Sequence, residues 1–301
     1  FNRSDDITVS NTITGTGSLT QSGTGTLTLS DSGAFGYTGA TIVESGTLVV
    51  NGALDSSAVT VEADATLMGN GVINSLHIND GATLAVGNSI GAMAVTNNAV
   101  FDSGSVYQVE ADANGDVDVL TVGGVATING GTVDVQASDV GQWSATTDYT
   151  IIATGGGVTG EFDAVTSNLA FLTPTLSYDA DNVMLNLTRN DIAFREFGDK
   201  APETAVADKL ETLYANDPDA LNGFFADFIA LSDADARQAL RTLNGSSLAG
   251  LAKRAGRSRA LSVAQHLSRM GTTTQLQASR DSQPIYLVSN EPSVDAAAIQ
   301  G

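Results

Sequence analysis

The sequence predicts an all-β right-handed parallel β-helix, a β-solenoid, followed by a smaller α-helical region. Three observations carry that expectation. A turn-and-strand phrase recurs along the first half: Gly25-Thr26-Leu27-Thr28-Leu29, Gly46-Thr47-Leu48-Val49-Val50, Ala65-Thr66-Leu67-Met68, Gly81-Ala82-Thr83-Leu84 and Gly131-Thr132-Val133. A period near 20 residues with one short strand per copy is the mark of a solenoid, whose single copies cannot bury their own apolar faces. Apolar and polar residues alternate within each copy, and Gly and Asn mark the corners. Composition then changes near residue 190, from Thr, Ser, Asn and Gly to an alternation of Ala, Leu and charged residues at helical spacing.

Residues 1–144 form the predicted stem. Its strands include Thr41-Ile42-Val43, Ala58-Val59-Thr60-Val61, Leu76-His77-Ile78 and Val117-Asp118-Val119-Leu120-Thr121-Val122, each with one face inward. Between them, Asn51-Gly52, Gly69-Asn70-Gly71, Asn79-Asp80-Gly81 and Asn129-Gly130-Gly131 are residues that accept positive φ and turn sharp corners. Residues 145–190 carry longer strands and more aromatic residues (Tyr149, Phe162, Phe171 and Tyr178, with Trp143 just before). They are expected to form an aromatic-sealed cap on the wider end of one β-helix running to residue 190. Residues 191–270 are expected to be helical. Pro202-Glu203-Thr204 opens one helix with Val206, Leu210 and Leu213 on a face, and Asp217-Pro218 opens a second bearing Leu221, Phe224, Phe225, Phe228 and Ile229. Ser232 with Asp235 resembles a capping arrangement, Asn244-Gly245 is a stop, and a last helix spans roughly 246–270. Residues 271–301 read as irregular, with a short strand at Ile285-Tyr286-Leu287-Val288.

Charge narrows the function classes. Up to Arg189 the chain has only Arg3 and Arg189 against 20 acidic residues; beyond it there are 11 basic and 14 acidic ones, for a net charge of −21. So acidic a surface repels phosphate backbones and anionic membranes, which argues against nucleic acid as a partner. No run of 18 apolar residues is present, Phe1-Asn2-Arg3-Ser4-Asp5-Asp6 is not a signal peptide, and the chain begins in mid-pattern as a fragment would. The absence of cysteine fits either a reducing cytosol or a protein that crosses an oxidising compartment and a narrow pore unfolded.

Candidate chemistry is sparse. Parallel β-helices that cleave polysaccharides need a carboxylate pair, or carboxylates holding Ca²⁺ beside a Lys or Arg base. The β-region has no Lys, and pairs such as Glu62/Asp64 read as corner carboxylates. Asp112-Ala113-Asn114-Gly115-Asp116-Val117-Asp118 spaces oxygen ligands at every second position. However, Val117 stands where an EF-hand loop requires Gly, and Gly123 where it requires Glu, so the segment reads as a polar turn. His77 and His266, the two histidines, fall in different predicted domains. Neither a zinc cluster nor a Ser-His-Asp arrangement follows, and His77 is expected to point outward. Asn2-Arg3-Ser4, Asn186-Leu187-Thr188 and Asn244-Gly245-Ser246 match the N-glycosylation triplet, a pattern that arises often by chance. No catalytic, cofactor-binding or metal-binding residue is assigned.

At this point the phrases resemble a family. Gly36-Tyr37-Thr38-Gly39-Ala40-Thr41-Ile42-Val43-Glu44-Ser45-Gly46-Thr47-Leu48 resembles the autotransporter-associated β-strand repeat. Residues 85–189 resemble the C-terminal passenger region of type Va autotransporters. Val86-Gly87-Asn88-Ser89-Ile90-Gly91 is similar to its P-G-N-S-I-G turn, with Val86 in place of proline. Tyr107-Gln108-Val109-Glu110 and Asp118-Val119-Leu120-Thr121-Val122 resemble the two strands that follow. Gly157-Val158-Thr159-Gly160-Glu161-Phe162-Asp163, and Leu176-Ser177-Tyr178 through Leu187-Thr188-Arg189-Asn190, resemble the end of the autochaperone cap. The basic stretch with Lys253, Arg254, Arg257, Arg259 and Arg269 is then similar to the linker helix that lies in a wet barrel lumen.

The resemblance implies a non-enzymatic passenger stem and autochaperone of a Gram-negative, adhesin-like surface protein. Its partners would be an outer-membrane translocator barrel of the same protein and host-cell or matrix ligands, and it needs no cofactor. No barrel-like strand series follows Gly271, so the translocator lies outside this chain. Two other readings remain: the stalk of a secreted enzyme whose catalytic domain lies upstream of Phe1, and a stand-alone β-helical module that binds glycans.

Overall fold

The computed structural model describes residues 1–30, 35–137, 143–218, 221, 223–243, 275–277 and 286–288. The chain divides into two compact units. One comprises Phe1–Asn168 with Leu172–Arg189; the other comprises Leu169–Phe171 with the described residues from Asn190 onward.

The first unit is a parallel β-helix. Its first coil runs through β1 (Ile7–Val9), β2 (Ile13–Gly15) and β3 (Leu19–Gln21), and its second through β4 (Thr26–Leu29), β5 (Phe35–Tyr37) and β6 (Thr41–Val43). In the next two coils the second and third faces share one strand, so β7 (Thr47–Val50) leads to β8 (Ala53–Val61) and β9 (Thr66–Gly69) to β10 (Val72–Ile78). The faces separate again in β11 (Thr83–Val86), β12 (Ala92–Val95) and β13 (Ala99–Phe101), then in β14 (Val106–Ala111), β15 (Val119–Val122) and β16 (Ala126–Ile128). The last turns hold β17 (Thr132–Ala137), β18 (Thr146–Thr154), β19 (Val158–Gly160), β20 (Ala164–Ser167), β21 (Leu172–Tyr178) and β22 (Asn182–Arg189). One face is an eight-stranded sheet in the order β1-β4-β7-β9-β11-β14-β17-β20, every neighbouring pair parallel.

Register explains why the repeat phrases look alike. Ile7 pairs with Leu27, then Leu48, Leu67, Leu84, Tyr107, Val133 and Val165 follow in one column. From Leu27 to Val133 that column is fully buried. The step shrinks to 17 residues between Leu67 and Leu84 and then grows to 32 between Val133 and Val165. Two-residue alternation sends every second side chain inward, and parallel stacking places like on like. At Gly69 the column beside it meets a corner. Its φ is +117°, and a Cβ there would lie 2.2 Å from the Val50 carbonyl oxygen, so only glycine fits.

Among the last strands the parallel rule fails. Ile152–Thr154 of β18 pair parallel with β15, but β18 pairs antiparallel with β22, and β22 antiparallel with β21. The expected parallel β-helix thus ends in an antiparallel hairpin. The Asp179–Asn182 turn supplies the physical reason: the Asp179 carboxylate accepts the backbone N–H of Asp181 and of Asn182, which reverses the chain into a hairpin. Pro174 lies within β21, whose outer edge stays unpaired in the sheet order, the position where a missing N–H costs nothing.

The second unit holds a short 3₁₀ turn at Phe194–Phe197 and helices α1 (Ala201–Asn216), α2 (Phe224–Ile229) and α3 (Asp233–Leu243), with an antiparallel pair of β23 (Gln275–Gln277) and β24 (Tyr286–Val288). Pro202 sits in the first turn of α1, and the buried Glu203 carboxylate accepts the N–H groups of Asp199 and Lys200, closing the helix start. The Ser232 hydroxyl accepts the Asp235 N–H at 3.2 Å, the expected cap of α3. Asp217-Pro218 opens no helix. Instead α2 starts after Gly223 at φ +85°, with Leu221 also at positive φ. Asn244-Gly245, the predicted helix 246–270 with its basic residues, and His266 lie outside the described residues.

Phe171 is the main relocation. It belongs to the helical unit and not to the β-helix cap expected of it. Its ring is fully buried against Phe197 at 4.8 Å, Phe194 at 5.0 Å and Phe228 at 5.5 Å between centroids. Three residues between β20 and β21 therefore complete the aromatic core of the helices.

Candidate functional site

The segment with the most unusual chemistry is the loop between β14 and β15 and the turn stacked on it. The Asp112 Oδ1 accepts the N–H groups of Asn114 at 2.8 Å and Asp116 at 2.9 Å, which curls the loop around a buried carboxylate. Ala111 and Val117 bridge across its base. Asp118 is buried as well. Its Oδ1 accepts the Gly91 N–H at 2.8 Å and its Oδ2 the Glu110 N–H at 2.7 Å, so one carboxylate joins the 87–91 turn of one coil to the strand of the next. Burial pushes the Asp118 carboxyl up to about 7, against the pull of those two amide donors toward the charged form.

Two tyrosines brace the same region from within. The Tyr107 hydroxyl donates to the Ile151 carbonyl at 2.8 Å and the Tyr149 hydroxyl to the Asp112 carbonyl at 2.6 Å. Burial raises the Tyr107 phenol well above its ordinary value, with the Asp118 charge adding to it, and raises Tyr149 to about 12. Phe162 sits 5.4 Å from Phe101 and 6.3 Å from Tyr107 between ring centroids. On the outside, Ser89–Ala92 face Asp112, Asp116, Val117 and Val119 across an open depression of about 550 Å³.

This arrangement ties backbone together and leaves no nucleophile poised beside a base. Of the loop's acidic residues, Asp112 is spent on its own turn, Asp116 is exposed, and Asp118 faces inward. Among the described residues no three His, Cys, Asp or Glu side chains are grouped to hold a metal ion. The Glu62 carboxylate accepts the Asn79 side-chain amide at 2.6 Å, and Asp64 turns its corner at φ +65°. His77 reaches Asp102 at 3.0 Å on the outer surface, and the Asn129 amide approaches the same carboxylate at 3.3 Å. Asn186 donates to Asp148 at 2.6 Å. The polar residues thus form inter-coil ladders.

The sequence places Asp118 both at the end of a polar turn and in the strand Val117–Val122, and the parity of that strand holds the signal. Residues 118, 120 and 122 alternate, and Leu120 and Val122 are inward, so Asp118 shares the buried face. The interior chain in the second and third coils was likewise missed. Tyr37 and Thr41 hydroxyls lie 2.6 Å apart, Thr41 and Ser57 hydroxyls 2.8 Å apart, and Ser57 donates to the Gly39 carbonyl at 2.6 Å.

Comparison with known proteins agrees with this geometry. Residues 19–50, from β3 to β7, match the Passenger-associated-transport-repeat family. Two relatives from Serratia marcescens, each named extracellular serine protease, are 36% and 32% identical over 217 residues, which is 69% of this chain and 20% of each relative. The chain therefore spans about a fifth of the length of these curated relatives.

Proposed function

We propose that this chain, an autotransporter passenger region, is the stem of a secreted or surface-displayed protein and the template on which that stem folds. The observation that carries this reading is the antiparallel hairpin that closes one end of the β-helix. There β22 folds back antiparallel between β18 and β21, and Pro174 blunts the outer edge. A coil gains its stability from the interface with its neighbour, so a capped end that folds alone gives the next coil a surface to form on. Export that begins at the cap would then be drawn outward by folding, with no nucleotide energy outside the cell. The partner in this reading is an outer-membrane translocator barrel of the same protein, and residues 145–190 act as autochaperone.

The chain itself acts here as scaffold and contributes no catalytic group. Of the activities open to the whole protein, the name of the relatives favours the stalk of a secreted protease over an adhesin. The test compares Leu185→Ala in the cap with Leu48→Ala in the third coil, both at fully buried positions. Each truncation costs about 2–5 kcal/mol. In the full-length protein, Leu185→Ala should leave more passenger stalled in the periplasm and less at the surface than Leu48→Ala. Equal export of the two would remove the templating role and leave the cap as a lid.

A further inference from the structure

The chain holds four Asn-Gly pairs within the described β-helix: 51–52, 70–71, 114–115 and 129–130. Glycine after asparagine leaves the following amide nitrogen unshielded, so its attack on the side-chain Cγ depends on local freedom. Three of the four glycines are fixed by stacking. Gly52, Gly71 and Gly130 are buried. A Cβ on Gly52 would meet the Ser30 carbonyl at 2.8 Å, one on Gly71 the Gly52 carbonyl at 2.4 Å, and one on Gly130 the Asp163 carboxylate at 2.4 Å. Gly71 N–H also donates to the Val50 carbonyl at 2.8 Å. The asparagines are held too: Asn51 Oδ1 accepts the Asn88 amide at 3.0 Å, and Asn129 donates to Asp102.

Asn114 also donates, its side-chain amide reaching Asp112 Oδ2 at 3.3 Å, but its glycine differs from the other three. Both residues are exposed, and nothing lies within 4 Å of a Cβ built on Gly115, whose φ is +96°. The Gly115 N–H reaches the Asp112 carbonyl only at 3.5 Å, the limit of a hydrogen bond. The exposed Asp116 carboxylate follows next in the chain.

We propose that Asn114 is a site of intramolecular deamidation, the position where this β-helix modifies itself. The Gly115 amide nitrogen loses its proton to solvent base and attacks Asn114 Cγ. The Cγ–Nδ2 bond then breaks, and Nδ2 takes up a proton and leaves as ammonia, giving a cyclic imide. Water adds to one of the two imide carbonyls and opens the ring to aspartate or isoaspartate. The net change is amide plus water to carboxylate plus ammonium. Aspartate places a third carboxylate between Asp112 and Asp116; isoaspartate also lengthens the backbone of the loop that carries Asp118.

The test incubates the purified chain at neutral to mildly alkaline pH, folded and in concentrated urea, and localises acid and isoaspartate forms by fragmentation mass spectrometry. Chymotrypsin is the protease of choice, because only Arg3 and Arg189 are available to trypsin across the β-helix. In the folded chain, conversion should concentrate at Asn114 while Asn51, Asn70 and Asn129 remain amides, and in urea all four should convert. Asn114→Gln, which keeps the amide but cyclises far more slowly, should abolish the folded-state product. The proposal is overturned if Asn51, Asn70 or Asn129 converts as fast as Asn114 in the folded protein. It is equally overturned if Asn114 stays an amide through an incubation that converts all four in urea.

Discussion

Phe171→Ala should destabilise the helical unit while leaving the β-helix nearly untouched. The ring is fully buried and touches three other phenylalanines at centroid distances of 4.8, 5.0 and 5.5 Å. Truncating a buried Phe costs about 3–5 kcal/mol, and losing aromatic pairs worth about 0.5–1.5 kcal/mol each places this site toward the upper end. A small unit of short helices has a total stability on the order of 5 kcal/mol, so the variant should lose most of its folded helical population. Where it still folds, a urea slope of about 1–3 kcal/mol per M turns the loss into a midpoint shift of about 1–5 M. Two probes separate the units. Trp143, the sole tryptophan, is buried in the β-helix and reports that unit by fluorescence; helical circular dichroism reports the other. The helical transition should move and the Trp143 transition should stay. If Trp143 fluorescence shifts by the same amount, the assignment of Phe171 to the helical core alone is wrong.

Asp118, raised to about 7 from 3.8 by burial, takes up its proton in the folded state before the unfolded one. Its contribution is therefore fully present below about pH 4 and is lost as pH rises to about 7, with a slope of at most about 1.4 kcal/mol per pH unit; chemical denaturation of Asp118→Asn across that range should show a flatter profile than the parent. Gly69→Ala should cost at least about 1–3 kcal/mol through backbone strain at φ +117° and the clash with Val50, seen as a lower urea midpoint for Trp143. Tyr37→Phe removes the hydroxyl 2.6 Å from Thr41 while Thr41 keeps Ser57, so its loss should stay near about 1 kcal/mol. A shift as large as that of a core truncation would mean that the interior chain acts as one unit.

The coil stack was legible because its signal is local and repeated. Leu27, Leu48, Leu67 and Leu84 stand in the same phrase at nearly constant spacing, and the sheet pairs them one on the next. The end of the stack was less legible because β18 plays two roles. Tyr149-Thr150-Ile151-Ile152-Ala153 alternates like any other strand, and nothing in period two tells a parallel neighbour from an antiparallel one. Phe171 was misplaced for a related reason. Leu169-Ala170-Phe171-Leu172 is apolar and must be buried, but an apolar run does not name the core that receives it. At the 112–118 loop, oxygen spacing was read correctly as a turn, whereas the inward parity of Asp118 went unused because polar residues are by habit placed outside.

The hairpin near residue 190 bears on the order in which the coils form. Val183, Leu185 and Leu187 of β22, paired between β18 and β21, are no more than 1% exposed, while Leu176 and Tyr178 of the outermost β21 stay half-exposed. An antiparallel hairpin closes through a short local turn, whereas each parallel coil must first close a loop of 17 to 32 residues before its interface forms. The step with the lowest closure cost is therefore the Asp179–Asn182 hairpin, and the coil that follows it is docked on a surface already made. That local closure is the step from which the proposed growth back toward residue 1 would begin.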